Sequence, residues 1–195
     1  MRWPAELAGR WNHNTHYYRL ALAHTPCARA LDVGCGDALL VRLLAARCGE
    51  AVGIDPWTDP ELVADLPNAS VLTADFLAAD LAPASFDLVC SFTAIHHLPF
   101  EPALRRMAQL VRPGGRLVVL SLAKYTPLSW LLGATTIPAH RWSVRRRGFF
   151  QHPAPIAAPT MTMREIRAAT RRMLPTARVR HRLYWRYTIE WAAPG

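Results

Sequence analysis

The sequence predicts an α/β protein whose doubly wound, mostly parallel sheet ends in an antiparallel edge strand near the C-terminus. Short apolar runs alternate with amphipathic stretches from residue 28 to residue 122, which is the pattern of successive βα units. A turn containing two glycines follows the first apolar run, at the point where a strand would lead into a helix. The tail over 177–192 alternates arginine with apolar or aromatic residues, and this period of two indicates one or two strands.

The predicted strands and helices follow one another without an internal repeat. We predict strands over 28–35, 51–55, 70–76, 85–92 and 116–122, and the fourth is apolar enough to be buried on both faces. Helices are predicted over 37–48 and 101–111, and the residues 112–115 supply a turn into the fifth strand. Thr162 and Glu165 have the spacing of a capping box, for a helix that ends near Met173.

The chain of 195 residues is long enough to bury a sizeable core, and we predict a single domain over 1–195. Residues 28–122 form its core, flanked by an N-terminal segment (1–27), an insert (123–160) and a C-terminal helix with strands (161–195). No apolar stretch reaches the roughly 18 residues of a membrane span, and the N-terminus lacks the apolar centre of a signal peptide. The four cysteines have neither CxxC pairing nor zinc-ligand spacing, so we expect free thiols, no metal site and a cytoplasmic location.

The chain is strongly basic, with a net charge of +9. Lys124 is the only lysine, and many of the arginines fall in the last third of the chain. Such a run of arginines is compatible with a solvated basic face and also with a surface that binds a polyanion. Composition alone leaves both interpretations open.

The glycine turn after the first strand points to a nucleoside-containing cofactor. Gly34 and Gly36 lie where the chain turns from strand to helix, which lets the backbone approach a ligand closely at the carboxyl end of the sheet. Asp55 follows Gly34 by twenty-one residues and ends the second predicted strand. A carboxylate at that position accepts hydrogen bonds from both hydroxyls of a ribose.

Two departures distinguish this turn from a dinucleotide-binding fingerprint. Leu39 stands where the third glycine of GxGxxG would be, and Asp32 lies two residues before the first glycine. A carboxylate there would repel a pyrophosphate, whereas it suits a ligand that carries an ammonium group. The cofactor is therefore expected to carry a positive charge near Asp32.

At these residues the sequence resembles the class I S-adenosylmethionine-dependent methyltransferases. The resemblance runs through LDVGCG (31–36), Asp55, ADF (74–76), FDLVCSFTAIHHL (86–98) and LVRPGGRLVVL (110–120), in the order and spacing of that family. It covers about residues 28–122 and implies a seven-stranded, Rossmann-like sheet. Ala38 stands where the family often has a further glycine, which makes the loop slightly tighter.

The resemblance implies roles for the residues around S-adenosylmethionine, with S-adenosylhomocysteine as the product. The methionine part would be lined by Asp32, Gly34 and Gly36, and Asp55 would hold the ribose hydroxyls. The adenine and its surroundings would be contacted by Pro56 or Trp57, Asp75, the Phe76 amide and Ser91. Other interpretations remain for two of these residues, since Asp75 could cap a turn and Trp57 could be a half-buried surface aromatic.

His96 and His97 follow the fourth predicted strand, where this fold places the methyl acceptor, and both are candidate catalytic residues. A neutral imidazole accepts a proton near pH 7, which a hydroxyl or carbon acceptor would require. Adjacent side chains point in different directions, so the pair is not expected to share a metal ion. The motif could also stabilise its loop without taking part in catalysis.

The segments outside the core are expected to cover the site. In enzymes that the core resembles, an N-terminal segment closes over the cofactor, and the candidates for this lid are Asn14, His16, Tyr17 and Tyr18, with Tyr17 predicted to contact the cofactor. The alternative is an amphipathic helix that packs on the sheet. The insert could form an apolar wall for the acceptor, from Trp130, Leu131, Leu132, Ile137 and Trp142.

Three functions remain open at this point. A methyltransferase acting on a small molecule, such as a specialised metabolite, fits the short chain and the apolar insert. An RNA or DNA methyltransferase would use the arginine-rich tail, although CSFTAIHH (90–97) lacks the [DNS]PP[YF] motif of base amino-group methylation and no Pro-Cys pair is present. The third is a non-catalytic partner that only binds the cofactor.

Overall fold

The computed structural model describes residues 7, 9–126, 130–131, 134–151 and 157–195. Leu132, and the parts of the N-terminal segment and insert that fall between these ranges, lie outside the described residues. Within the described part of the chain, no helix is long and apolar enough to cross a membrane.

A seven-stranded sheet in the order β3-β2-β1-β4-β5-β7-β6 organises the chain and confirms the predicted fold class. The first five strands are mutually parallel, and β7 runs antiparallel to both β5 and β6. The strands are β1 (Cys27–Val33), β2 (Cys48–Ile54), β3 (Ala69–Leu72), β4 (Phe86–Phe92), β5 (Val111–Leu122), β6 (Arg178–Arg182) and β7 (Arg186–Ala192). Because the chain passes from β1 outward to β2 and later returns to β4 on the other side, the sheet has a switch point between β1 and β4.

Helices cover both faces of the sheet. Five α-helices are described: α1 (Arg19–Leu22), α2 (Leu39–Ala45), α3 (Phe100–Leu110), α4 (Ile137–Arg147) and α5 (Met163–Met173). One apolar cluster joins α2 and the N-terminal segment to the sheet, and a second joins α3 and α5 to the opposite face. The centre of β4 is fully buried between these layers, as its apolar sequence predicts.

The predicted elements differ from the observed ones mainly at their ends. The third strand ends at Leu72 rather than at 76, and the helix predicted over 37–48 is confined to Leu39–Ala45. The residues 112–115, predicted as a turn before the fifth strand, belong to β5, where the pairing with β4 is irregular between Phe86 and Leu88. Gly114 adopts a φ of 73° there, so the turn-forming residues bend the strand instead of ending it.

The C-terminal elements agree with the prediction. Thr162 and Glu165 form the capping box at the start of α5, with the Thr162 side chain accepting from the Glu165 amide and Glu165 accepting from the Thr162 amide. The tail forms the hairpin of β6 and β7, and β7 is the strand that joins this hairpin to β5. The insert contains α4, which was not predicted.

Candidate functional site

The turn after β1 lies against the loop after β4. Gly34 has a φ of 74°, and a Cβ atom built on it would lie 2.0 Å from the Cβ of Ala94. Gly36 and Ala38 have φ angles of 54° and 55°. The left-handed backbone at Ala38 is a conformation that favours glycine, so this alanine adds backbone strain as well as a methyl group to the turn.

Asp55 joins the turn to the loop after β2. One carboxylate oxygen accepts a hydrogen bond from the Gly36 amide at 3.3 Å, and the other accepts from the Trp57 amide at 2.8 Å. Pro56 is exposed, and the Trp57 side chain is 81% exposed. Sequence-predicted residues from two strands thus meet at the switch point of the sheet, with the Trp57 indole exposed beside them. We refer to the space between these two loops as the crevice.

Asp32 is a buried carboxyl beneath the same turn. Burial raises the pKa of Asp32 to about 7, and the neighbouring carboxylates Asp37 and Asp55 add to the increase, while a hydrogen bond from the Cys90 thiol opposes it. Three carboxyl groups so close together, one of them cut off from water, favour a positively charged ligand group. Tyr18 is also buried; this burial raises its pKa well above the usual value, and the charges of Asp37 and Asp32 add to the increase.

Asp75 and Phe76 lie in the loop after β3. Asp75 is exposed, and its Oδ1 accepts a hydrogen bond from the Leu77 amide at 2.8 Å, so it does cap its own turn. Phe76 is buried, and the Arg106 guanidinium lies 5.6 Å from its ring centroid. One carboxylate oxygen of Asp75 therefore holds the loop, and Oδ2 has no hydrogen bond among the described residues.

Ser91 lies in the buried part of β4, close to its carboxyl end. Its Oγ is one of the few buried side-chain atoms that have no hydrogen-bond partner within the described part of the chain. A buried hydroxyl without a partner costs stability, and such groups in native proteins commonly await a ligand or an ordered water.

The two histidines after β4 have different surroundings. A short 3₁₀ helix, Ile95–His97, turns His96 inward, where its Nδ1 lies 3.0 Å from the Oγ of Ser121 in β5. His97 is exposed, with its ring centroid 4.3 Å from that of His96. Burial lowers the pKa of His96 to about 4, and the nearby His97 and Arg186 contribute, so His96 is neutral at pH 7.

The N-terminal segment packs across the end of β4. Asn14 donates a hydrogen bond to the Thr93 Oγ1 at 2.8 Å and accepts one from the Arg186 Nη2 at 3.0 Å. Tyr17, predicted to contact the cofactor, donates its hydroxyl to the Leu183 carbonyl at 3.2 Å, on the side of the sheet edge that holds β6 and β7. It is the neighbouring Tyr18 that lies beside Asp32.

A cluster of rings attaches the insert to this segment. Trp11 and His13 meet His140 of α4, and the His13 Nε2 lies 3.0 Å from the His140 Nδ1. Phe149 and Tyr184 pack on the same rings. Four of the proposed wall residues are instead largely exposed, namely Trp130, Leu131, Ile137 and Trp142.

A cavity of about 470 Å³ occupies the other half of the carboxyl edge, beyond the ends of β5 and β6 and the start of β7. Its described lining has an apolar or aromatic part that includes Tyr17, Tyr125, Met163, Leu183 and Trp185. It also contains Arg19, Lys124, Arg182 and Arg186, and no aspartate or glutamate. This cavity was not predicted from the sequence, because the alternation of arginines in the tail does not show which of them, such as Arg182 and Arg186, face a cavity and which face solvent.

Comparisons with known proteins agree with the geometry. The family described as "Methyltransferase domain" matches residues 31–119. An uncharacterized methyltransferase of Mycobacterium tuberculosis is 38% identical over 192 residues, which cover 94% of this chain and 98% of that protein.

Two solved structures share the fold at low sequence identity. The N-methyltransferase NodS from Bradyrhizobium japonicum is 20% identical, with a TM-score of 0.57, and the alignment covers 93% of this chain and 94% of NodS. The Burkholderia thailandensis 1,6-didemethyltoxoflavin-N1-methyltransferase, solved with bound 1,6-didemethyltoxoflavin and S-adenosylhomocysteine, is 17% identical. Its TM-score is 0.63, and the alignment covers 99% of this chain and 81% of that chain.

The fold, the crevice and these relatives together define an enzyme of the methyltransferase class. The chain belongs to the S-adenosylmethionine-dependent methyltransferase family.

Proposed function

We propose that this enzyme transfers a methyl group from S-adenosylmethionine to a small molecule, such as a specialised metabolite. The observation that carries the proposal is the division of the carboxyl edge into two sites. The crevice around Gly34, Gly36 and Asp55 lies on one side of β4, and the cavity of about 470 Å³ lies on the other. A cavity of this size suits a small organic ligand.

The residues of the crevice fit the cofactor. Asp55 already accepts two amide hydrogen bonds and would hold the ribose hydroxyls, and the buried Asp32 would face the ammonium group of the methionine part. Gly34 has no side chain to occupy the space beside the loop after β4, and the Ser91 Oγ has no hydrogen-bond partner among the described residues. Both observations support a ligand close to the loops after β1 and β4. Trp57 would cover the adenine from the rim, and Asp75 and the Phe76 amide would meet its edge.

The chemistry divides between cofactor and protein. The bound cofactor supplies a methyl group on a sulfonium, which is an activated leaving group. The protein then has to orient the acceptor and exclude water, and remove a proton where the acceptor is a hydroxyl or carbon acid. His96 is the better candidate for the group that accepts this proton. Its ring is held by Ser121 and senses the charge of the cavity-lining Arg186, whereas His97 is exposed.

The alternative acceptor is RNA. Arg145, Arg146 and Arg147 close α4 and most of their side chains are exposed, so a basic helix is available for backbone phosphates. The cationic side chains around the cavity line a concave surface, however. Such a surface fits a small ligand that enters the cavity better than an RNA duplex that lies across it. The cytoplasm remains the proposed location, in keeping with four free cysteines.

Transfer of a labelled methyl group tests the acceptor class. The enzyme and S-adenosylmethionine labelled in the methyl group are incubated with a bacterial extract, which is then separated into small metabolites, RNA and protein. We expect the label in the small-metabolite fraction, at a rate that depends on active enzyme. Label in ribonuclease-sensitive material alone would replace this proposal with the RNA alternative.

A further inference from the structure

The cavity beside the methyltransferase crevice has an unusual charge balance for a partly enclosed space. Four cationic side chains line it and none of its described lining residues is acidic. Glu190 neutralises only Arg182, at 2.6 Å, and Glu165 is engaged at 2.7 Å by the Thr162 amide in the capping box. Lys124 and Arg186 have no carboxylate in ion-pair contact among the described residues, and the charge of Lys124 acts on Glu165 only from beyond that distance.

Arg186 is the best-defined of these cations. Its Nε and Nη2 both donate to the Asn14 Oδ1, at 3.3 and 3.0 Å, and its Nη1 donates to the Tyr184 carbonyl at 3.1 Å. A guanidinium has five N–H groups, so one donor on each terminal nitrogen has no acceptor within the described chain. Burial lowers the pKa of Arg186 to about 10, which shows the cost of keeping this charge away from water without a counter-ion.

The position of Arg186 connects the cavity to the loop after β4. Asn14 accepts from Arg186 and donates to Thr93, two residues after the buried Ser91. The charge of Arg186 also contributes, after burial and His97, to the lowered pKa of His96. A ligand group held by Arg186 would therefore lie within electrostatic reach of the candidate proton acceptor, His96.

We propose that the cavity is the acceptor subsite and that the acceptor is a small organic molecule carrying a carboxylate, which Arg186 and Lys124 bind. This inference rests on the proposed function and adds the charge of the substrate to it. A carboxylate pairs with a guanidinium through charge-assisted hydrogen bonds. The apolar lining, with Tyr17, Tyr125 and Trp185, would contact the rest of the molecule.

Matched pairs of probes test the charge independently of shape. Binding of 4-hydroxybenzoate is compared by calorimetry with binding of its neutral analogue 4-hydroxybenzamide, and hexanoate is compared with hexanamide, each in the presence of S-adenosylhomocysteine. We expect at least one of the two carboxylates to bind at least tenfold more tightly than its amide, since a hydrogen bond to a charged group contributes about that much.

Three variants locate the effect. Arg186→Gln and Lys124→Gln should each weaken the carboxylate by about fivefold or more and leave the amide unchanged. Lys124 is exposed and its removal does not disturb the core, so it remains informative if Arg186→Gln fails to fold. Arg105→Gln removes the same charge from an exposed position on α3, away from the cavity, and should change neither affinity.

The outcomes separate this inference from the proposed function. If S-adenosylhomocysteine binds but neither carboxylate binds better than its amide, the carboxylate subsite is wrong and the methyltransferase crevice stands. Equal weakening by Arg105→Gln would also overturn it, because general surface charge would then explain the binding. So would saturation by a short single-stranded RNA with no binding of either carboxylate. If S-adenosylhomocysteine itself fails to bind, the proposed function fails first.

Discussion

At the scale of single residues, the protonation of Asp32 is the feature through which the proposed cofactor site should depend most directly on pH. Its pKa of about 7 leaves the carboxyl partly protonated in the free enzyme near neutral pH. In the proposed site, the ammonium group of the cofactor would require the ionised form of Asp32, so binding would have to remove that proton below pH 7.

We predict that the affinity for S-adenosylhomocysteine rises between pH 5.5 and pH 8. Below pH 7 the change should approach tenfold per pH unit, because one proton is released on binding. Calorimetry at several pH values measures it. In Asp32→Asn the affinity should be lower and nearly independent of pH, whereas a pH dependence that persists in this variant would assign it to another group.

The two histidines should differ in their effect on turnover. His96→Gln removes the proposed proton acceptor from its contact with Ser121 and should reduce kcat by about a hundredfold or more. His97→Gln changes an exposed ring and should reduce kcat less than twofold. Methyl transfer to the acceptor fraction, together with S-adenosylhomocysteine affinity, measures both effects. Equal losses in the two variants would contradict the assignment.

Much of the cofactor side could be predicted from sequence, because glycines and carboxylates at strand ends have few alternative explanations. Gly34, Gly36 and Asp55 come together as the spacing predicts. The different surroundings of His96 and His97 could not be predicted, since they depend on a 3₁₀ turn and on Ser121 in another strand.

At the scale of elements, the close approach between the β1 turn and the β4 loop determines whether the crevice forms. Gly34 and Gly114 have nearly equal φ angles of 74° and 73°, but a Cβ on Gly34 would lie 2.0 Å from the Cβ of Ala94, whereas a Cβ on Gly114 would meet nothing within 4 Å. Comparing alanine substitutions at Gly34 and Gly114 therefore separates the cost of the steric contact with Ala94 from the cost of the backbone strain.

Gly34→Ala should destabilise the protein by about 2–4 kcal/mol, and Gly114→Ala by about 1 kcal/mol from its φ alone. Adding Ala94→Gly to Gly34→Ala should recover most of the difference between the two single variants. Chemical denaturation followed by circular dichroism measures these values. Equal destabilisation in the two single variants would mean that the contact with Ala94 is unimportant.

Element boundaries were the least predictable part of the fold. The residues 112–115 form a strand irregularity, because pairing with β4 continues on both sides of them. Helix α4 was missed because its sequence, IPAHRWSVRRR, has almost no apolar face and is held by ring contacts from Trp11 and His13. Such long-range contacts leave no local pattern in the sequence.

At the scale of the whole molecule, partly buried histidines in the N-terminal segment and in the loop after β4 make the free energy of unfolding depend on pH. Burial lowers the pKa of His13 to about 3 and those of His16 and His96 to about 4, from 6.5. At these three histidines the unfolded chain therefore binds up to three more protons than the folded chain as the pH falls from 6.5 toward 4. Asp32 opposes this with one proton, because its folded pKa is raised.

We therefore expect the free energy of unfolding to decrease as the pH falls from 6.5 to 4, by roughly 1 kcal/mol per pH unit after allowance for solvent screening of the partly exposed rings. Urea denaturation at half-unit pH intervals measures the slope. His16→Gln should make the slope shallower. A stability that is constant or increases over this range would contradict the buried, neutral state of these histidines.

Asp55 directly follows β2, accepts a hydrogen bond from the glycine turn and matches the family's ribose-binding position. S-adenosylhomocysteine binding by an Asp55→Ala variant therefore tests the proposed cofactor site most directly. The loss of the ribose acceptor should weaken binding by about a hundredfold, whereas Asp80→Ala, in an exposed loop, should bind like the unchanged protein. Circular dichroism spectra of both variants show whether the fold is kept. Binding by a folded Asp55→Ala variant with unchanged affinity would contradict the placement of the cofactor in this crevice.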